Sequence, residues 1–179
     1  MELEIEKKAW IKNIEELENR LKEIAVFSKT DEKSDTYYYM PSDGREIDFK
    51  NDPIFRIRKT KKGSFIAYKK RDFSGETEVN QENEFEIITP EKIEGLIEYV
   101  GYKVLVKKHK FSRVYSYKNA SIELNTIDGL GDFIEVEVIL TNEDEKERAF
   151  EVIDEVFEIL NIDKNNIETR YYIDLLLNK

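Results

Sequence analysis

Glu4-Ile5-Glu6-Lys7-Lys8 is the stretch on which the reading of the fold turns. Side chains of an extended strand alternate faces, so Glu4, Glu6 and Lys8 share one face while Leu3, Ile5 and Lys7 take the other. The same sorting puts Arg56 with Arg58 opposite Phe55 and Ile57, and Glu84 with Glu86 opposite Phe85 and Ile87. It also puts Glu135 with Glu137 in front of Ile134, Val136 and Val138. One such strand is simply the watered face of a sheet. Several, each with like charges two residues apart, are harder to explain that way, because like charges adjacent on one face repel. If these faces point into a shared cavity, carboxylates there can ligate hard cations such as Mg2+ or Mn2+, and Arg and Lys can bind phosphate oxygens. The sheet then closes into a barrel with a polar interior, and helices coat its apolar outside.

Segments of alternating character at 2–9, 35–39, 54–61, 64–72, 83–88, 103–117, 120–128 and 132–140 predict strands, with turns at Lys62-Gly63 and Lys118-Asn119. Helical spacing appears in Ile11, Ile14, Leu17, Leu21 and Ile24, and again in Ile93, Leu96, Ile97 and Val100 after Pro90. It is longest in Ala149, Val152, Ile153, Val156, Phe157 and Leu160. The polar stretches Ser42 to Asp52 and Asp72 to Asn83 are expected to be loops. The expected fold is α+β, a mainly antiparallel eight-stranded β tunnel or barrel, built as a single domain over 1–179.

A length of 179 residues suits one domain, since domains run roughly 100–200 residues. The absence of cysteine excludes disulfides, Cys-based zinc sites and thiol catalysis. No run reaches the roughly 18 apolar residues that span a bilayer, and the acidic N-terminus is unlike a signal peptide, so a cytoplasmic protein without a membrane partner is expected. A formal net charge of -10 speaks against nucleic acid as a partner, which needs a basic surface. A small phosphate compound stays compatible if divalent cations offset the carboxylates.

Glu4-Ile5-Glu6-Lys7-Lys8 resembles the E-x-E-x-K signature of the CYTH superfamily, the triphosphate tunnel metalloenzymes. Asp35-Thr36-Tyr37-Tyr38 resembles the family's D-x-Y-Y/F strand, Phe55-Arg56-Ile57-Arg58 its L-R-I-R strand, and Ala67-Tyr68-Lys69 its T-Y-K strand, followed by Glu84-Phe85-Glu86 as a second E-x-E. Gly129-Leu130-Gly131-Asp132-Phe133-Ile134-Glu135-Val136-Glu137 is similar to the G-L-G-x-F-x-E-I-E segment. Arg170-Tyr171-Tyr172 with Leu175-Leu176 resembles the R-S-Y-x-x-L-L tail. The last two segments are most like the class IV adenylyl cyclase branch.

The resemblance implies an eight-stranded tunnel that binds a small-molecule triphosphate (ATP, tripolyphosphate or thiamine triphosphate) with Mg2+ or Mn2+, as a monomer or a homodimer. It implies Glu4, Glu6, Glu135 and Glu137 as metal ligands and Glu84 and Glu86 as further acidic tunnel residues. Lys8, Arg56, Arg58, Lys69, Lys110, Arg113 and Arg170 would bind phosphate. The reaction would be cyclisation of ATP to cyclic AMP and pyrophosphate, or hydrolysis of one of these triphosphates. A polyphosphate- or nucleotide-binding module without turnover is the reading from a different class, which loss of the Glu4, Glu6 and Glu137 carboxylates would favour; all are present. The chain departs from the family in three places. Lys108-His109-Lys110-Phe111-Ser112-Arg113 stands where a K-x-R pair is usual, Leu124-Asn125 stands where many relatives have L-D, and no His-Phe pair precedes Glu4.

Other conspicuous residues take plainer readings. His109 reads as a solvated surface side chain, Trp10 as packing at the first strand-to-helix junction, Tyr37 to Tyr39 as strand packing, and Glu143 to Glu147 as a helix start.

Overall fold

The computed structural model describes residues 2–41, 47–48 and 54–179. Its strands are β1 (Glu2–Trp10), β2 (Val26–Tyr39), β3 (Phe55–Thr60), β4 (Gly63–Ser74), β5 (Thr77–Ile87), β6 (Lys103–Tyr117), β7 (Ala120–Ile127) and β8 (Gly131–Leu140). They pair antiparallel in the order β1-β5-β4-β3-β2-β6-β7-β8, and β8 returns to β1, so the barrel is closed and has no free edge. The helices are α1 (Ile14–Ile24), α2 (Pro90–Tyr99), α3 (Lys146–Ile159) and α4 (Tyr172–Leu177). The α+β barrel expected from alternating charge is the observed fold. Among the described residues no helix is long and apolar enough to cross a membrane.

Alternation explains the two-sided wall. Ile5 and Ala9 of β1, Ile122 and Leu124 of β7, and Ile134, Val136 and Val138 of β8 point outward into one apolar cluster. Leu17 and Leu21 of α1 and Ala149, Val152, Ile153 and Val156 of α3 close over it. α1 starts where the Asn13 side chain accepts a hydrogen bond from the Glu16 amide at 3.2 Å, meeting a donor that the first helical turn leaves free. On the other side Ile97 of α2 packs on Tyr38, Ile57 and Ile87. The helices cover part of the outward face, chiefly on β1, β7 and β8, and the barrel's inward faces are left to the charged residues.

Three expectations change. The predicted loop from Asp72 to Asn83 is a β-hairpin, β4 running to Ser74 and β5 starting at Thr77. Gly75 takes φ +62°, a left-handed conformation that glycine adopts without strain, and this permits the tight turn. The segment looked like a loop because Glu78, Asn80 and Glu82 are polar, yet all lie on the inward face of β5. Second, β2 begins at Val26, well before the predicted 35. Third, not every helix coats the outside. Tyr172 and Leu175 of α4 pack on Ile127 and Phe133, with Trp10 beside them, and Ile173 packs on Tyr37 and Ile54, so α4 plugs one end of the barrel. Most of the Ser42 to Asp52 loop lies outside the described residues.

Candidate active site

The inward side chains form one cavity, closed at the α4 end by Tyr171, Tyr172 and Ile173. Each charge stands where strand alternation puts it. β3 supplies Arg56 and Arg58, β2 supplies Lys33 and Tyr37, and β6 supplies Lys108 and Lys110. Glu78 and Glu82 come from β5, Lys69 from β4, Glu6 and Lys8 from β1, Glu123 from β7, and Glu135 and Glu137 from β8. Cations are concentrated on β2, β3 and β6, and carboxylates on β1, β5 and β8.

Most of these charges are paired. Arg58 donates from Nε and Nη2 to the two oxygens of Asp35 at 2.8 and 3.0 Å, a bidentate geometry, and Lys108 Nζ lies 3.2 Å from Asp35 Oδ2. Arg56 donates to Glu82 at 2.8 Å. Lys69 reaches Glu4 at 2.5 Å and Glu82 at 2.7 Å. Lys8 is bonded to Glu78. Lys110 spans Glu123 at 2.7 Å and Glu135 at 2.8 Å, and Glu135 also accepts from the Asn125 amide at 2.5 Å. The protonation states follow. Burial disfavours ionisation of Glu82 and Glu135, but Arg56 and Lys69 hold Glu82 down at about 2, and Lys110 holds Glu135 down at about 2. Asp35 is held well below the usual range against its burial by Lys108, Arg58 and Arg56.

Glu6 and Glu137 differ. They are direct cross-strand partners on β1 and β8, and Glu78 is the partner of Glu6 on the β5 side. Among the described residues neither Glu6 nor Glu137 forms an ion pair. Burial and then Glu78 and Glu135 push Glu6 well above the ordinary carboxyl value. Burial and then Glu4 raise Glu137 to about 7, although Lys69 opposes the shift. Cross-strand Cβ atoms lie about 4.5–5.5 Å apart, so these carboxylates can meet on one ion by side-chain rotation. As arranged, no group of three His, Asp or Glu among the described residues is closed around a metal position. The donors are nonetheless all hard oxygens and inward, with Glu6 and Glu137 short of positive charge, and so the residues present fit Mg2+ or Mn2+.

Of the residues named from sequence, Glu6, Lys8, Arg56, Arg58, Lys69, Lys110, Glu135 and Glu137 line this cavity, and Glu4 joins it through Lys69. Glu84 and Glu86 do not. They continue the inward face of β5 but are exposed at its far end, where Glu84 lies 3.9 Å from Arg58. Arg113 lies outside the wall: Lys110 and Ser112 of β6 point inward, so Arg113 points out and meets Glu18 of α1 at 3.2 Å. Arg170 is bonded to Glu168 and more than half exposed, while its neighbours Tyr171 and Tyr172 face the cavity. The unusual Asn125 is fully buried, receives the Ser112 hydroxyl at 2.6 Å and faces Glu135; Asp128 is outside, bound to His109 at 3.1 Å. His109 is bonded rather than merely solvated, because Glu32 holds its other ring nitrogen at 3.1 Å. Trp10 packs on Phe133 with ring centroids 4.1 Å apart, inside the plugged end.

The site residues missed from sequence are Lys33, Asp35, Tyr37, Glu78, Glu82, Lys108 and Glu123. Glu123 had a signal, as the one charge between Ile122 and Leu124 in an alternating strand. Lys108 had one too, since it is two residues from Lys110 and so shares its face.

A family model described as the CYTH domain matches residues 2–172. The Methanocaldococcus jannaschii protein named "Putative adenylate cyclase MJ0240" is 27% identical over 175 residues, 97% of this chain and 98% of that one. Among solved structures, the PH1012 protein of Pyrococcus horikoshii OT3 is 30% identical with a TM-score of 0.80, covering 96% of this chain and 98% of its own. The PH1819 protein of the same organism is 26% identical with a TM-score of 0.82, covering 98% of both chains.

Proposed function

The chain belongs to the CYTH domain family, and from that premise we propose that it is a metal-dependent enzyme acting on a small-molecule triphosphate inside the barrel. The observation that carries this reading is one cavity in which the cations of β2, β3 and β6 face the carboxylates of β1, β5 and β8. Arg56, Arg58, Lys69, Lys108 and Lys8 would hold phosphate oxygens, and Glu6 and Glu137, with Glu4 and Glu135 beside them, would hold Mg2+ or Mn2+. A bound divalent ion neutralises phosphate charge and activates an oxygen nucleophile. The closed α4 end limits water, and arginine and lysine fixed in advance stabilise charge on the phosphates more effectively than in bulk solvent.

The finer reading is a class IV adenylyl cyclase-like reaction, in which the ribose 3′-hydroxyl of ATP attacks the α-phosphorus and pyrophosphate leaves. It draws on the name of the Methanocaldococcus jannaschii relative. Hydrolysis of tripolyphosphate, thiamine triphosphate or a nucleoside triphosphate is the second reading. It draws on the cavity lining, which is charged on every strand and carries aromatic and aliphatic side chains chiefly at the plugged end. Incubation with ATP, tripolyphosphate and thiamine triphosphate under Mg2+ and then Mn2+, with products identified by phosphorus NMR, decides between them. Cyclic AMP with pyrophosphate supports the first reading and orthophosphate the second. Binding of triphosphate without any product would overturn the enzyme.

A further inference from the structure

The cationic side of the cavity poses a physical problem. Arg58 on β3 and Lys108 on β6 are the two cross-strand partners of one β2 residue, Asp35, so the positive heads flank a single position. Like charges so placed repel, and each has another carboxylate to turn to. Glu84 at the open end lies 3.9 Å from Arg58, and Lys108 already acts on the charge of Glu135. What holds them is the Asp35 carboxylate, whose side chain is 0% exposed. It takes Nε and Nη2 of Arg58 at 2.8 and 3.0 Å, Nζ of Lys108 at 3.2 Å, and the Tyr37 hydroxyl at 3.4 Å. Arg58 Nη1, 3.9 Å from Glu84 and so beyond hydrogen-bond distance, can still donate to a ligand, and Lys108 keeps two protons.

We propose that Asp35 is a positioning residue that gathers Arg58 and Lys108 over β2 into a preformed cradle for the phosphate chain, an inference that rests on the triphosphate reading above. A carboxylate in an anion site otherwise has the wrong sign. By Coulomb's law alone, removing its charge strengthens binding of a polyanion. If its role is positional, removal frees Arg58 and Lys108 to swing toward Glu84 and Glu135, and binding weakens. The two accounts predict opposite signs for one substitution.

The test is calorimetric titration of inorganic tripolyphosphate into wild type, Asp35→Asn and Arg58→Lys, in EDTA and again with Mg2+. Asp35→Asn is expected to bind at least about tenfold more weakly, as when a buried charge pair loses one partner. Equal or tighter binding overturns the positioning role. Should Asp35→Asn fail to fold, Arg58→Lys carries the test: it keeps the charge and loses the two-point contact, so several-fold weaker binding is expected and unchanged affinity overturns the proposal. A readout without ligand is the Arg58 Nε–H resonance, protected from exchange in wild type and exposed in Asp35→Asn; persistence in the variant refutes the clamp. Failure of wild type to bind tripolyphosphate in either condition overturns the triphosphate reading and the cradle with it, whereas wild-type binding undiminished in the variants overturns the cradle alone.

Discussion

Strand β8 presents two glutamates to the barrel interior, and each faces another glutamate across a strand boundary with opposite results. Glu135 faces Glu123 of β7, and Lys110 sits between them, bonded to both at 2.8 and 2.7 Å. Glu137 faces Glu6 of β1, and no ammonium or guanidinium of the described residues is paired with either. The first pair is ionised, with Glu135 at about 2, while in the second Glu137 is raised to about 7 by burial and then by Glu4. Both are directly opposed glutamates in antiparallel strand pairs. What differs is whether the fold supplies the cation, and the pair without one is where an added ion gains most.

The largest effect is expected from making the first pair resemble the second. Lys110→Met keeps the buried stem and removes the charge, leaving Glu123, among the described residues, with only Lys33 as an ion-pair partner, 3.5 Å away, and Glu135 with the neutral Asn125 amide. Removing one partner of a buried ion pair costs about 3–5 kcal/mol, read from urea unfolding. A loss below about 1 kcal/mol would show that Lys110 does not hold the pair together.

Changing the second pair should act on chemistry instead of folding. Glu6→Gln is expected to lower metal-dependent turnover by on the order of 10²–10³-fold, since a metal ion supplies several kcal/mol of charge stabilisation. Its metal-free melting temperature should stay level or rise, because the amide replaces a carboxylate whose ionisation burial, Glu78 and Glu135 all disfavour. Unchanged turnover sinks the metal role of this row.

A pH series sharpens the contrast. Glu137 has a folded value of about 7 against an ordinary 4.5, so its contribution is fully present below about 4.5 and is lost as pH rises through 7. That difference corresponds to roughly 3 kcal/mol at most. Glu82 and Glu135, held at about 2, work in the other direction and in another window: their contribution is present above 4.5 and lost as pH falls toward 2. Between pH 5 and 8 the metal-free protein should therefore lose melting temperature as pH rises. Mg2+ should flatten that slope, and Glu137→Gln should reduce it, leaving the part that belongs to Glu6, whose carboxyl is raised in the same direction; a slope unchanged in Glu137→Gln assigns it to other groups.

How much of this was legible in the sequence depends on how strictly side chains alternate. Glu6, Lys8, Arg56, Arg58 and Glu137 were readable because each stands in a short strand with apolar residues on its other face. Glu78 and Glu82 were hidden because Asn80, Gln81 and Asn83 make both faces of that stretch polar, and polarity on both faces reads as loop. Lys33 was hidden for a related reason, since β2 before Asp35 is exposed or half-exposed and carries no apolar face, whereas Asp35 stood in a readable strand with nothing in the sequence to show the cations it gathers. The plug could not be read at all. Tyr172–Leu177 is too short for a helical period to show, and what makes it a plug is the size of the hole it fills.

Arg113 gives the smallest expected effect and the cleanest check on inside versus outside. By family resemblance it was a phosphate-binding residue, yet strand alternation fixed by inward Ser112 turns it out of the barrel. There its Nε lies 3.2 Å from Glu18 of α1, which also receives the Tyr115 hydroxyl at 2.6 Å. The side chain is about a quarter exposed and Glu18 keeps a second partner, so Arg113→Ala should cost no more than about 1 kcal/mol, in the range of partly exposed ion pairs. Tripolyphosphate affinity should stay within about twofold, because the change removes one charge outside the wall, where solvent screens it from the cavity. A tenfold loss of affinity with an unchanged melting temperature would place Arg113 inside the site and break the register on which the contrast between the two glutamate pairs depends.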